Sequence, residues 1–299
     1  MSLLSELKLH VRYKEAALEL DSENNVESPL LELKLSGCDF LFLPIPSQPA
    51  LGIWRWFGKL VSLNIDRCDA LVYWPEDVFK SLVSLKDLTV TSCDNLVGPA
   101  QVKVEAAPTM SQVLPHLNFL LVSFCGKLTE LFVLPPSITA IHIGFCEKLK
   151  FTGGESKSVH VEQVNTSTSL EYHASTSVSM QPASRTNHSL PCLEYLQLDG
   201  CPSLVTLNLS PALKLLGICG CPELCFVSGQ LDALKHLNTY GCNKLQSMDS
   251  LGHLPSLVSL RLERCKRLAS LPGVLGSYSA LRELTIKYCP AIDMKPLYK

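Results

Sequence analysis

Apolar side chains recur through the C-terminal third of this chain in one fixed phrase. It is written five times: LEYLQLDGCPSLVTL from Leu193, LKLLGICGCPELCFV from Leu213, LKHLNTYGCNKLQSM from Leu234, LVSLRLERCKRLASLP from Leu257 and LRELTIKYCPAI from Leu281. Aligned on Cys201, Cys221, Cys242, Cys265 and Cys289, the copies step by roughly 20 to 24 residues, a period that marks a repeat architecture, and share the pattern LxxLxLxxCxxLxxL. Leucines spaced three and then two apart enter and line a short strand, whose alternate side chains face opposite ways. The Cys ends each strand and turns the chain inward, as a small buried side chain that shares weak hydrogen bonds with backbone in the turn.

Such a period falls in the window of leucine-rich repeats. One repeat cannot bury its own apolar edge, so neighbours stack at about 4.8 Å and the edges become continuous. The expected fold is therefore an α/β-type leucine-rich-repeat solenoid. It is a curved horseshoe with a parallel β-sheet on the concave face and irregular loops and short helical turns on the convex face.

The N-terminal half repeats the phrase less regularly, from Leu30, Leu60, Leu85, Leu117 and Ile138, with Cys-to-Cys steps that vary from about 21 to about 32 residues. Extra residues at Pro44 to Phe57 and Gly98 to Met110 must bulge to the convex or lateral side, and Trp54 and Trp56 in the first bulge are read as local packing. Leu4, Leu7 and Leu9, with Arg12 in the Cys slot, make a degenerate first unit without a polar cap, an edge that an upstream domain or a partner is expected to cover. The acidic stretch Glu19 to Ser28 is read as a convex-side loop. From Cys146 to Cys201 the step is about 55 residues, more than twice the regular period. The excess, Thr152 to Ser189, is Ser/Thr-rich, and a long loop with one degenerate strand near Val159 to Val164 is expected. The chain thus reads as a single domain over 1–299, with regular repeats at about 30–151 and 193–292, an insert at about 152–189 and a minimal C-terminal cap after Ile292.

Composition alters this picture in two ways. Of 13 cysteines, ten (Cys38, Cys68, Cys93, Cys125, Cys146, Cys201, Cys221, Cys242, Cys265 and Cys289) occupy the repeat slot, which marks them as free structural thiols and not as a disulfide framework. No signal-peptide core opens the chain and no apolar run approaches the roughly 18 residues of a membrane span. A reducing, cytoplasmic setting follows, and the N-x-[ST] triplets at Asn165, Asn187 and Asn208 are read as chance matches. Second, 46% hydrophobic and 18% charged residues with a net charge of −2 give no basic stripe for nucleic acid or an anionic membrane.

The sequence has no GxxxxGK[ST] loop, GxSxG elbow or HExxH helix. Cys219, Cys221 and Cys225, with Cys192 and Cys201 upstream, lack a second pair or His at zinc-ligand spacing, because Cys221 points inward and Cys219 outward. His142 and His236 face solvent, with no acid plus thiol or hydroxyl at nearby repeat positions. No enzyme activity, cofactor or metal site is expected.

Function is then expected on the strand residues between the leucines, which form columns across the concave sheet. Phe119, Leu121, Phe124, Ala140, His142 and Phe145 make a candidate apolar patch for a protein partner, or one covered by the 152–189 insert. Tyr195, His236 and Tyr240 add aromatics of the kind enriched at interface hot spots. Arg261, Glu263, Arg264, Arg282, Glu283, Lys287 and Tyr288 give a charged, net basic end.

Units that end in CxxLxxLP or CxxLxxWP, at Cys265 to Pro272 and Cys68 to Pro75, resemble the repeats of plant nucleotide-binding leucine-rich-repeat disease-resistance proteins of the coiled-coil class. LPSLVSLRLERCKRLASLPGVLGSYSALRELTIKYCPAI (Leu254 to Ile292) is similar in style to their C-terminal portions, and the resemblance spans nearly all of the chain outside the insert. It implies a cytoplasmic region that senses a pathogen effector, directly or through a guarded host protein, and that folds back on a nucleotide-binding domain. This sequence does not contain the nucleotide-binding and coiled-coil regions, so adenine-nucleotide binding is not carried over. Alternatives are a substrate-adaptor module of a ubiquitin ligase or a stand-alone binding scaffold. F-box adaptor repeats, however, resemble CxxITDxGLxxLA after the Cys.

Overall fold

Each repeat forms the same five-residue strand because its two inner residues, apolar in nearly every copy, sit two apart and face the core, while the residues between them face out. The computed structural model describes residues 6–10, 30–42, 54–100, 113–150, 190–272 and 278–293. Its strands are β1 (Glu6–His10), β2 (Glu32–Ser36), β3 (Ser62–Asp66), β4 (Asp87–Thr91), β5 (Phe119–Ser123), β6 (Ala140–Gly144), β7 (Tyr195–Asp199), β8 (Thr206–Asn208), β9 (Leu215–Cys219), β10 (Phe226–Ser228), β11 (His236–Tyr240), β12 (Ser259–Glu263) and β13 (Glu283–Lys287).

Eleven strands form one parallel sheet in the order β1-β2-β3-β4-β5-β6-β7-β9-β11-β12-β13. The register never slips. Leu33 pairs with Leu63, Leu63 with Leu88 and Leu88 with Leu120, and the line continues through Ile141, Leu196, Leu216, Leu237 and Leu260 to Leu284. A slip of one residue would turn every leucine out to solvent, and this locks the stack. Leu63, Leu120, Ile141, Leu196 and Leu216 are fully or almost fully buried in a single hydrophobic cluster that runs from Leu30 to Ile292. The α/β-type leucine-rich-repeat solenoid expected from the repeats is the fold observed. The degenerate first unit also enters the sheet, with Leu7 in register with Leu33 and Leu9 with Leu35.

The turn after each strand keeps one backbone shape ten times, and nine of the ten bond to the next strand. The residue before the slot Cys adopts the left-handed conformation at Gly37, Arg67, Ser92, Phe124, Phe145, Gly200, Gly220, Gly241, Arg264 and Tyr288, with φ between 49° and 68°. Its N–H donates to the carbonyl that ends the next strand: Gly37 to Asp66 (2.9 Å), Phe124 to Gly144 (2.9 Å), Phe145 to Asp199 (2.7 Å), Arg264 to Lys287 (2.9 Å). The same carbonyl receives the thiol of its own repeat, as Cys68 to Asp66 at 3.5 Å and Cys201 to Asp199 at 3.5 Å. The carbonyl of each slot Cys in turn accepts from the amide three residues on, for example Leu71 and Leu128, which closes a β-turn. Burial pushes the Cys68, Cys93 and Cys125 thiols up to about 12 and Cys146 up to about 11, so they remain protonated donors. None of the 13 cysteines is in a disulfide.

On the other side, a short helix fits the expected helical turns, whereas a second small sheet departs from the expected irregular loops. β8 and β10 pair in parallel, with Leu207 opposite Val227, because Leu204, Leu207 and Leu209 repeat the LxxLxL spacing after the Cys. A helix α1 (Glu76–Ser81) buries Val78 and Phe79, and Phe79 packs edge-on against Phe132 and tilted against Trp74 at centroid distances of 5.2 and 6.3 Å. Trp74 Nε1 donates to the Glu130 carbonyl at 2.9 Å, tying the third and fifth repeats together. Trp54 is packed between Phe42 and Phe57, as local packing predicts, and Trp56 is half-buried. β6 pairs directly with β7, Ile141 opposite Leu196, so the sheet closes across the long step from Cys146 to Cys201. Arg12, Glu19 to Ser28, the 152–189 insert with its strand at Val159 to Val164, and the tail beyond Asp293 lie outside the described residues.

The left-handed column makes opposite substitutions opposite in sign. Ser92→Gly removes a Cβ from a positive-φ site and is expected to stabilise by about 0.5–1 kcal/mol. Gly220→Ala, where a Cβ would meet only ordinary contacts at 3.6 Å or more, is expected to cost about 1 kcal/mol through φ alone. Urea midpoints of the two variants check the pair; shifts of the same sign contradict the account.

Candidate functional site

Alternation along the strands lifts three columns onto the concave face, and the left-handed residue adds a fourth along its rim. The register runs Glu32, Ser62, Asp87, Phe119, Ala140, Tyr195, Leu215, His236, Ser259, Glu283 in the first column. The third runs Ser36, Asp66, Thr91, Ser123, Gly144, Asp199, Cys219, Tyr240, Glu263, Lys287. Polar side chains are usual on such a surface, so the apolar ones are informative.

Phe124 and Phe145 occupy the rim column in adjacent repeats. Their rings stack at 4.8 Å between centroids and 7° between planes, and each remains about half exposed (53% and 52%). The Phe145 ring also lies over Gly200, where a Cβ would come within 2.8 Å of the ring; only glycine leaves room. Phe119 and Leu121 project from β5 beside the pair and are half-buried. The structure therefore brings the sequence-predicted apolar patch together.

His142 does not face solvent alone. Its Nε2 lies 2.8 Å from Asp199 Oδ2, and Gln197 Nε2 donates to Asp199 Oδ1 at 2.7 Å. The expectation of no acid plus thiol or hydroxyl near His142 is corrected as to the acid: β6 and β7 are neighbours in space although the two side chains are far apart in sequence. Gln197 lies across Gly217 on the next strand, where any Cβ would collide with its amide. Cys219 completes the cluster, but burial and then the Asp199 carboxylate push its thiol up to about 11. The thiol sits beside the carboxylate and its amide partner, not beside the imidazole, so the cluster lacks an activated nucleophile.

A second network joins the N-terminal repeats. Burial raises the Asp66 carboxyl, but hydrogen bonds from Arg67 (2.8 Å), Thr91 (3.0 Å) and Ser36 (3.1 Å) outweigh it and hold the group below the usual carboxylate range.

The third aromatic group divides. Tyr195 and His236 share the first column but are separated by Leu215. Tyr240 instead joins the C-terminal rim, where the Arg264 guanidinium lies 5.6 Å from its ring centroid and 5.7 Å from that of Tyr288. These three, with Gly220, Gly241, Asn243 and Lys266, line an open recess. Arg261 is exposed in the middle column of β12. Arg282 is corrected: it lies one residue before β13, in the entry column next to Val258, whose carbonyl accepts its amide, and not on a strand. Cys221 points into the core, Cys219 to the concave face and Cys225 lies next to β10, and no group of three or more His, Cys, Asp or Glu among the described residues is placed to hold a metal ion.

Sequence reasoning missed Asp199, Gln197 and Lys266. One available signal was that the residue before the Cys is glycine in four of ten repeats, which marks a left-handed column and its outward direction.

The fold and this face define a leucine-rich-repeat solenoid with an aromatic-studded concave sheet. No protein-family model matches the chain, and no curated protein matches it. Among solved structures it is similar to the leucine-rich-repeat domain of the type III effector XopL, at 18% identity over 87% of this chain and 69% of that one, with a TM-score of 0.43. It is also similar to TLR13 in its complex with ssRNA13, at 15% identity over 87% of this chain and 36% of that one, with a TM-score of 0.36. No helix among the described residues is long and apolar enough to cross a membrane.

Asp199→Asn removes the charge that, with burial, suppresses the Cys219 thiolate. Labelling of Cys219 by iodoacetamide at about pH 8.5, followed by peptide mass spectrometry, is expected to quicken roughly three- to tenfold. An unchanged rate contradicts the assigned cause.

Proposed function

We propose that this chain is a protein-recognition scaffold and that its concave face is the contact surface. Phe124 and Phe145 carry this reading. Two large apolar rings are held half-exposed, on backbone that costs roughly 1–2 kcal/mol per residue relative to glycine. Stability alone favours glycine at both sites, so the rings fit a role in contact with another molecule.

The repeat phrases resemble those of the plant nucleotide-binding leucine-rich-repeat immune receptors of the coiled-coil class, and the proposal takes the scaffold to be part of one. Its partner is then a pathogen effector, a guarded host protein or the receptor's own nucleotide-binding domain, and it acts in the cytoplasm by binding and not by catalysis. Support comes from buried, unbridged slot thiols, which suit a reducing compartment, and from a histidine committed to Asp199 rather than to a nucleophile. Neither nucleic acid nor a membrane is part of the reading.

Immobilised wild-type chain and a Phe124→Ala/Phe145→Ala variant, compared first on plant extract and then with each recovered protein purified, test the reading. A specific partner whose affinity falls about tenfold or more in the variant is expected. Equal affinity of a folded variant sinks it.

A further inference from the structure

We propose that the recess at the C-terminal end of the concave rim binds a carboxylate from an acidic segment of a protein partner, held by the Arg264 guanidinium. This deepens the protein-recognition reading above and rests on it.

The recess has a floor of backbone at Gly220 and Gly241, walls of Tyr240 and Tyr288, and two cations, Arg264 and Lys266. Arg264 makes two cation–π contacts, its guanidinium over the Tyr240 ring at 5.6 Å and over the Tyr288 ring at 5.7 Å. Such contacts engage the charge without using the N–H groups as hydrogen-bond donors to an oxygen, so the fork can still meet an acceptor. The same contacts hold the side chain in place, which lowers the entropy lost when the fork is used. Among the described residues neither Arg264 nor Lys266 makes an ion pair, whereas the nearby acids are occupied: Glu263 by Lys287 and Glu223 by Lys244. Arg261 on β12 and Arg267 in the turn that follows it likewise have no ion pair among the described residues, so the end is locally cationic in a chain of net charge −2.

One fork beside one ammonium matches a carboxylate, which a single guanidinium binds through two parallel hydrogen bonds. A phosphate monoester, with about two charges and three strong acceptors, calls for more donors than this recess presents. Bare backbone at Gly220 and Gly241 lets a partner's main chain approach without a side chain in the way. Tyr288, 75% exposed, offers ring surface to the residues beside the carboxylate.

The test is fluorescence anisotropy at low ionic strength with a fluorescein-labelled Gly/Ser peptide bearing a Glu-Asp-Glu cluster, and with its Gln-Asn-Gln counterpart. The acidic peptide is expected to bind and its amide counterpart to bind at least about tenfold more weakly. Arg264→Lys, which keeps the charge and loses the fork, is expected to weaken binding about three- to tenfold. Arg264→Ala/Lys266→Ala is expected to abolish it, while Arg267→Ala leaves it unchanged. Equal losses in Arg264→Ala and Arg267→Ala overturn the site, as does displacement by inorganic phosphate at concentrations where acetate has no effect, or tighter binding of a single-stranded oligonucleotide. If acid binding fails while Phe124/Phe145-dependent capture persists, this site alone is wrong; if that capture also fails, the shared reading falls.

Discussion

The structure depends on one backbone carbonyl used twice. At the end of each strand from β3 to β13 in the large sheet, the last carbonyl accepts the left-handed amide of the preceding repeat with one lone pair and the slot thiol of its own repeat with the other. Asp66, Asp199 and Glu263 show both partners within 2.9 and 3.5 Å respectively. A buried carbonyl left without partners costs free energy comparable to a lost hydrogen bond. The shared bond removes that cost and carries the sheet into the turn. It also explains why a residue as small as Cys is written into the slot: a larger side chain would not fit beneath the turn, and a fully apolar one would leave the second lone pair empty.

That bond sets the direction of the residue before the Cys. A left-handed φ swings its side chain outward along the rim, so the same feature that ends the strand creates a fourth functional column. Where the column carries glycine it is structurally inexpensive and bare. Where it carries Phe124, Phe145, Arg264 or Tyr288, the backbone is strained and the side chain is displayed. The two displayed groups differ in chemistry, one apolar and stacked, the other cationic and flanked by tyrosines. The glycines Gly200, Gly220 and Gly241 separate them. The face thus offers two kinds of contact on one rigid sheet, and rigidity favours affinity by limiting what must be ordered on binding.

Much of this is legible in the residues. The LxxLxL spacing predicts strand, inner face and stacking direction, and the ten slot cysteines are buried and in no disulfide, as their shared position implies. Even the degenerate phrase at Leu7 and Leu9 finds its place in the sheet. The neighbours across the irregular steps are hidden. His142 meets Asp199 only because β6 pairs directly with β7 across the long step between their slots, and no local pattern encodes that adjacency. Arg282 falls outside the expected columns because a residue next to a strand shares its spacing without its orientation. The contact of Arg264 with both Tyr240 and Tyr288 spans three repeats and two columns, so it emerges only once the register is known.

Counting thiols with and without denaturant tests the central claim most directly. If ten sulfurs form the spine of one stack, only Cys192, Cys219 and Cys225 are open to reagent in the native chain, and all 13 react on unfolding without any reductant. Rapid labelling of slot cysteines in the native protein, or fewer than 13 thiols after unfolding, would contradict the account.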